Sequence, residues 1–127
     1  MTAGRFGKNC ELWFDIELIA ANGEQFSVEV LFDTGFTAGF LAMNYQDIDP
    51  LQWTATKSIV ELQTARGKDN FNIYQGKVII DRTEFVLPVH VGSEISEILM
   101  GSQWLEIMEL VVNKSKKLLT LTTVEVK

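Results

Sequence analysis

Two alternating apolar runs joined by Asn22-Gly23 constrain this chain more than any other feature. In Leu12-Trp13-Phe14-Asp15-Ile16-Glu17-Leu18 the apolar side chains at 12, 14, 16 and 18 share a face. From Gln25 to Phe32 the same holds for Phe26, Val28, Val30 and Phe32. Period two marks half-buried strands, and Asn-Gly between two of them is a strong hairpin signal. The second strand delivers the chain directly to Asp33-Thr34-Gly35. A carboxylate at the end of a buried strand, in a tight turn allowed by glycine, is costly to place. Chemistry can justify that cost. The motif occurs once in 127 residues, so an acid–base pair of two such carboxylates needs two chains.

The rest of the chain keeps the same period. After Phe36-Thr37-Ala38-Gly39-Phe40-Leu41, the stretch from Asn44 to Asp49 reads as a helical turn or loop stopped by Pro50. Ser58 to Ala65 and Phe71 to Ile80 read as strands around a polar hairpin tip with a glycine hinge, Arg66-Gly67-Lys68-Asp69-Asn70. Asp81-Arg82 reads as a turn. Thr83 to Val91 alternates, with Phe85, Leu87, Val89 and Val91 on one face, and Pro88 gives that strand an edge-like position. Glu97-Ile98-Leu99-Met100-Gly101 is an apolar strand ended by glycine. Ser102 is placed to cap a short helix through Met108, with Trp104, Leu105 and Met108 on its apolar side. Glu109 to Asn113 and Leu118 to Val126 close the chain around Lys114-Ser115-Lys116-Lys117, a solvated hairpin tip. About eight short strands and one or two short helices argue an all-β barrel or sandwich. The length fits one domain over residues 1–127.

Charge and composition remove several classes of function. The formal net charge is −6 and the basic residues are scattered, so a nucleic-acid partner, which needs a basic face, is not expected. No apolar run approaches the roughly 18 residues of a membrane helix, and Met1 to Asn9 lacks the apolar stretch of a secretory signal. Cys10 is the sole cysteine. No intrachain disulfide is possible, which fits a reducing, cytoplasmic setting. His90 is the sole histidine. With one His and one Cys, no metal site and no cofactor are expected, and Asp47 and Asp49 read as a polar loop beside Pro50. No Gly-x-Ser-x-Gly elbow exists, and His90 reads as a partly exposed strand residue. Gly4-Arg5-Phe6-Gly7 follows no strand and is no phosphate loop. Trp13, Trp53 and Trp104 read as core or interface residues.

Asp33-Thr34-Gly35 after an alternating strand, a glycine-tipped hairpin, and Leu99-Met100-Gly101 before a short helix together resemble the retropepsin-like aspartic proteases. The likeness covers about Glu11 to Leu121. It is closer to single-domain prokaryotic members whose motif reads as Asp33-Thr34-Gly35-Phe36-Thr37 does here. The resemblance implies a small closed β barrel that forms a homodimer. It implies that Asp33 supplies half of a catalytic dyad, that Thr34 hydrogen-bonds across the two-fold axis, and that Gly35 lets the loop backbone approach substrate. Leu99-Met100-Gly101 would pack beneath the active loop, and Arg66, Gly67, Lys68, Asp69 and Asn70 would form the flap. Retroviral and pepsin-type enzymes usually have Ala or Ser after the glycine. Phe36 stands there in this chain, leaving Thr37 as the hydroxyl that could tune the carboxylate.

The chemistry accounts for the residue choice. Two carboxylates within hydrogen-bond reach share one proton. The ionised one takes a proton from water, which attacks the scissile carbonyl, while the protonated one donates to the carbonyl oxygen. A two-fold axis supplies the pair from one motif per chain. The expectation is a homodimeric aspartic endopeptidase acting on peptides or proteins. Two alternatives stand beside it. One is a non-catalytic dimeric β-barrel module that keeps the motif structurally and binds an extended peptide by strand addition. The other is a carboxylate-dependent hydrolase with a non-peptide substrate.

Overall fold

In this computed structural model the described residues are 1–64 and 67–124, with the backbone alone described for 57–59, 63 and 64. Eleven strands are present among them: β1 Thr2–Ala3, β2 Arg5–Phe6, β3 Leu12–Ile19, β4 Gln25–Phe32, β5 Leu41–Asn44, β6 Thr54–Thr64, β7 Gly67–Ile80, β8 Thr83–Gly92, β9 Ile98–Met100, β10 Met108–Asn113 and β11 Leu118–Thr123. One short helix, α1, spans Tyr45–Ile48, and 3₁₀ turns span Asp49–Leu51 and Ser102–Glu106.

The expected hairpin is the spine of the fold. β3 and β4 pair antiparallel with Phe14 opposite Val30 and Ile16 opposite Val28, and Ala20 N–H donates to the Glu24 carbonyl at 2.8 Å to close the turn. β4 continues the sheet through a parallel pairing with β9. β9 pairs with β5, β5 with β8 and β8 with β7. β7 then returns to β3, with Leu18 opposite Val78. These six strands close a barrel, which decides between the barrel and the sandwich that the strand pattern leaves open and agrees with what the resemblance implies, with β2 and β6 added outside the ring. A second sheet of order β1-β11-β10 packs beside it. Phe14, Val30, Leu41, Val89, Met100, Trp104 and Leu121 fill a shared core and are fully buried.

Local chemistry explains the joints. Asp81 and Arg82 both have positive φ, 51° and 62°, the geometry of a two-residue turn whose twist matches its strands. Pro88 pairs with Gln75 of β7, while the pairing of β8 with β5 begins one residue later, at Val89. The proline therefore precedes the second ladder, as its missing N–H requires.

Several sequence expectations change. Pro50 does not stop the helical segment but sits inside the 3₁₀ turn Asp49–Leu51, in the first turn where its missing N–H costs nothing. Ser102 is not a cap. Gly101 holds the N-cap position without a side-chain bond, the helix is a 3₁₀ turn, Leu105 is exposed and Met108 opens β10. β1 and β2 have two residues each, too few to show a period. Lys68, Asp69 and Asn70 are not a hairpin tip. They are laddered in β7 opposite Gln63, Leu62 and Glu61, and Gly67 lies opposite Thr64. The Lys68 ammonium pairs with Glu61 at 3.6 Å across the strands. Arg66 of the expected tip, and Val126 of the last strand, lie outside the described residues.

Candidate active site

The loop from Asp33 to Phe40 leaves the C-terminal end of β4 and is held by the segment that ends β9. Asp33 N–H donates to the Met100 carbonyl at 2.9 Å, extending the β4–β9 ladder by one bond. Phe36 N–H donates to the Asp33 carbonyl at 3.1 Å, closing a tight turn, and Gly35 N–H donates to Asp33 Oδ1 at 2.9 Å. A carboxylate that accepts from the backbone two residues on is a local turn former. It also fixes the direction of the Asp33 side chain, which is partly exposed. Thr34, Gly35 and Thr37 are exposed around it.

The Leu99-Met100-Gly101 segment lies against this loop. Leu99 is half-buried opposite Leu31, and Met100 is fully buried opposite Phe32. Gly101 N–H donates to the Phe40 carbonyl at 2.8 Å and Ser102 N–H to the Phe36 carbonyl at 2.9 Å. The Phe40 carbonyl also accepts from Trp104 Nε1 at 2.9 Å, and the Phe40 ring stands edge-on to Trp104, 5.2 Å between centroids. Both ends of the loop are therefore tied to the barrel: Asp33, at its start, carries the carboxylate, and the exposed Thr34, Gly35, Thr37 and Ala38 follow it.

His90 belongs to the same construction, which the sequence does not reveal. It is 7% exposed, not a partly exposed strand residue. Val89 and Val91 look into the barrel, and His90 looks out on the opposite face, beside Ala42 and Ile73 in the ladders. The Phe36 ring meets it edge-on, centroids 5.5 Å apart with planes at 86°, and Phe71 meets it at 5.9 Å and 74°. A Cβ on Gly39 would stand 2.6 Å from His90 Cε1 and 2.7 Å from Nδ1, so only glycine lets the loop backbone lie on the ring. Burial lowers the imidazole pKa from its ordinary 6.5, because the charged form loses its water. Among the described residues Nδ1 has no hydrogen-bond partner. Phe36, which follows the Asp33-Thr34-Gly35 turn, thus packs on His90.

No group of three or more His, Cys, Asp or Glu that could hold a metal ion occurs among the described residues, and none of their helices is long and apolar enough to cross a membrane. Two shallow hollows lie on the flank of β6, β7 and β8, around Gln75 and Val86. Neither includes a residue of the Asp33 loop.

Neither family models nor curated proteins match the chain. Solved structures do. A retropepsin-like aspartic protease from Rickettsia conorii superposes with a TM-score of 0.60 at 21% identity, covering 94% of this chain and 86% of that one. EIAV protease complexed with the inhibitor HBY-793 gives 0.62 at 13% identity, covering 80% and 90%. The fold is retropepsin-like. Both retropepsin-like structures are aspartic proteases by name, and at these identities the likeness concerns architecture.

Proposed function

We propose that this protein is a homodimeric aspartic endopeptidase of the cytoplasm, a single retropepsin-like domain over residues 1–127. One observation carries the reading: in a retropepsin-like barrel, Asp33 opens a loop that is hydrogen-bonded into the core at both ends, with its backbone fixed to Met100 and its carboxylate left partly open to solvent. A carboxylate held that firmly and left partly open can take up and release a proton at a fixed place, which a neutral or apolar residue there could not do.

In the dimer, the two Asp33 carboxylates meet at the two-fold axis and share one proton. The ionised member takes a proton from water as it attacks the peptide carbonyl. The protonated member donates to the carbonyl oxygen. Thr34 braces the paired loops across the axis, Gly35 admits the substrate backbone, and Thr37 lies near enough in sequence to tune the carboxylate. The hairpin of β6 and β7, with Gly67 (φ 114°) at its far end, is the flap, and Leu99-Met100-Gly101 is the platform beneath the loop. No cofactor takes part. The substrate is an extended peptide.

The test joins two measurements. Asp33→Asn is nearly isosteric and is expected to keep the fold while losing turnover of unstructured casein. Activity per wild-type chain is expected to fall on dilution as dimers separate. Undiminished cleavage by Asp33→Asn, or sedimentation of an active monomer, overturns the reading.

A further inference from the structure

Resting on the peptidase reading, we propose that His90 is a positioning residue for Asp33: its imidazole is the post on which the Asp33–Phe40 loop is set, and it joins that loop to the root of the flap hairpin at Phe71. The ring touches neither substrate nor the reacting carboxylate, and it acts through Phe36 and Gly39.

Three observations meet at this ring. It makes edge-to-face contacts with Phe36 of the loop and with Phe71 of β7, a geometry that depends on a flat aromatic partner. Gly39 lies so close to it that a single methyl group would collide with Cε1 and Nδ1. The ring is more than nine-tenths buried, with Nδ1 unpartnered among the described residues. An unpaired polar atom in an apolar setting destabilises a fold, so an aliphatic side chain would serve stability better. Local costs of this kind gather where a structure serves function.

The route from His90 to Asp33 is short. Phe36 N–H is bonded to the Asp33 carbonyl and its own carbonyl accepts from Ser102, so a shift of the Phe36 ring moves the turn that carries the carboxylate. A branched aliphatic residue at 90 has atoms out of the plane on which Gly39 rests, and pushes the loop outward. Reacting groups misplaced by about 1 Å lose about a hundredfold in rate.

The test uses the full chain with His90→Leu and His90→Gln, the latter ending in a flat neutral amide. In His90→Leu the thermal midpoint is expected to stay or rise, while kcat on unstructured casein falls about tenfold or more and KM stays within about twofold. Hydrogen exchange of the Ser102 amide, which donates to Phe36, is expected to quicken about fivefold or more while the β4 ladder keeps its protection. His90→Gln is expected to recover part of both. Wild-type kcat in a folded His90→Leu overturns the proposal, as does unchanged exchange at Ser102. Should His90→Leu fail to fold, His90→Gln carries the same two criteria against wild type. Should wild type itself not cleave casein, the peptidase reading fails separately, and exchange at Ser102 decides whether His90 sets the loop.

Discussion

The carbonyl oxygen of Gly39 lies 2.0 Å from where a Cβ on Gly101 would stand, and the carbonyl of Phe36 lies 2.8 Å from the same point. The two halves of the sequence pattern, the loop after β4 and the glycine after β9, thus touch backbone to backbone. Gly101 has φ −87° and ψ 168°, angles open to any residue, so space alone demands glycine. Gly101→Ala is expected to displace the loop, costing about 1–3 kcal/mol of stability and most of the turnover. Urea denaturation with casein turnover on the same samples checks this. A variant with wild-type stability and rate would mean the loop yields at no cost.

The Trp104 indole makes a related prediction. Its N–H donates to the Phe40 carbonyl at 2.9 Å, and its ring packs edge-on against Phe40 and Phe85. It is fully buried. Trp104→Phe removes one hydrogen bond and leaves a cavity, and is expected to cost roughly 2 kcal/mol. Denaturant midpoints with an unchanged m-value would report that loss, and a change below a few tenths would show that the bond contributes nothing.

The β3–β4 hairpin and the Asp33 turn are legible in the sequence because each carries its own local signal: period two, Asn-Gly, and a carboxylate followed by glycine. Asp81-Arg82 is legible for the same reason. His90 is not. It falls on the polar parity of a strand whose apolar residues are Phe85, Leu87, Val89 and Val91, and alternation assumes that one face is wet. The end of β8 is covered on both faces, the outer one by Phe36, Gly39 and Phe71, a tertiary fact with no local mark. Lys68-Asp69-Asn70 misleads in the opposite way. Polar residues suggest a loop, yet a hairpin rising beyond the barrel is half-solvated along its length and can be polar and still laddered. β1 and β2 are set by their partners Leu121 and Trp13, not by their own residues.

Asp81 gives a pH dependence with a defined window. Its carboxylate pairs with the amine of Met1 and accepts from Thr123 N–H at 2.8 Å and Thr123 Oγ at 2.9 Å. The Met1 amine first, and the Thr123 amide next, lower its pKa from 3.8 to about 2. A lowered carboxylate adds stability that is present above the unfolded value and is lost as pH falls toward the folded one. Asp81→Asn tolerates the positive φ of the turn and is expected to lose stability at neutral pH, with the deficit shrinking between about pH 4 and pH 2. Urea midpoints for both proteins across that range test it. A deficit constant with pH would mean that the charge on Asp81 contributes nothing to holding β11.

His90 sets a second window, of the same sign but higher in pH. Burial lowers its pKa below the 6.5 of an exposed imidazole, so the unfolded chain takes up the proton first. Over that interval the unfolded state holds more protons, and stability rises with pH. The contribution is complete above about 6.5 and is lost as pH falls through the folded value. Few charges stand near enough to offset a buried imidazolium. The loop brings Asp33, whose carboxylate is engaged with Gly35 N–H. β7 brings Asp69, two residues beyond Phe71 and on its side of the strand, and β8 brings Glu84 at its far end. β5 and β9 carry no titratable side chain. His90→Leu has no proton to bind and is expected to lose less stability than wild type between pH 7 and pH 5. Carboxylates titrate in both proteins, so the difference between the two curves isolates His90. Parallel curves over that range would show that the native imidazole gains its proton as readily as an exposed one, and that the apolar setting made by Phe36 and Phe71 does not hold it neutral.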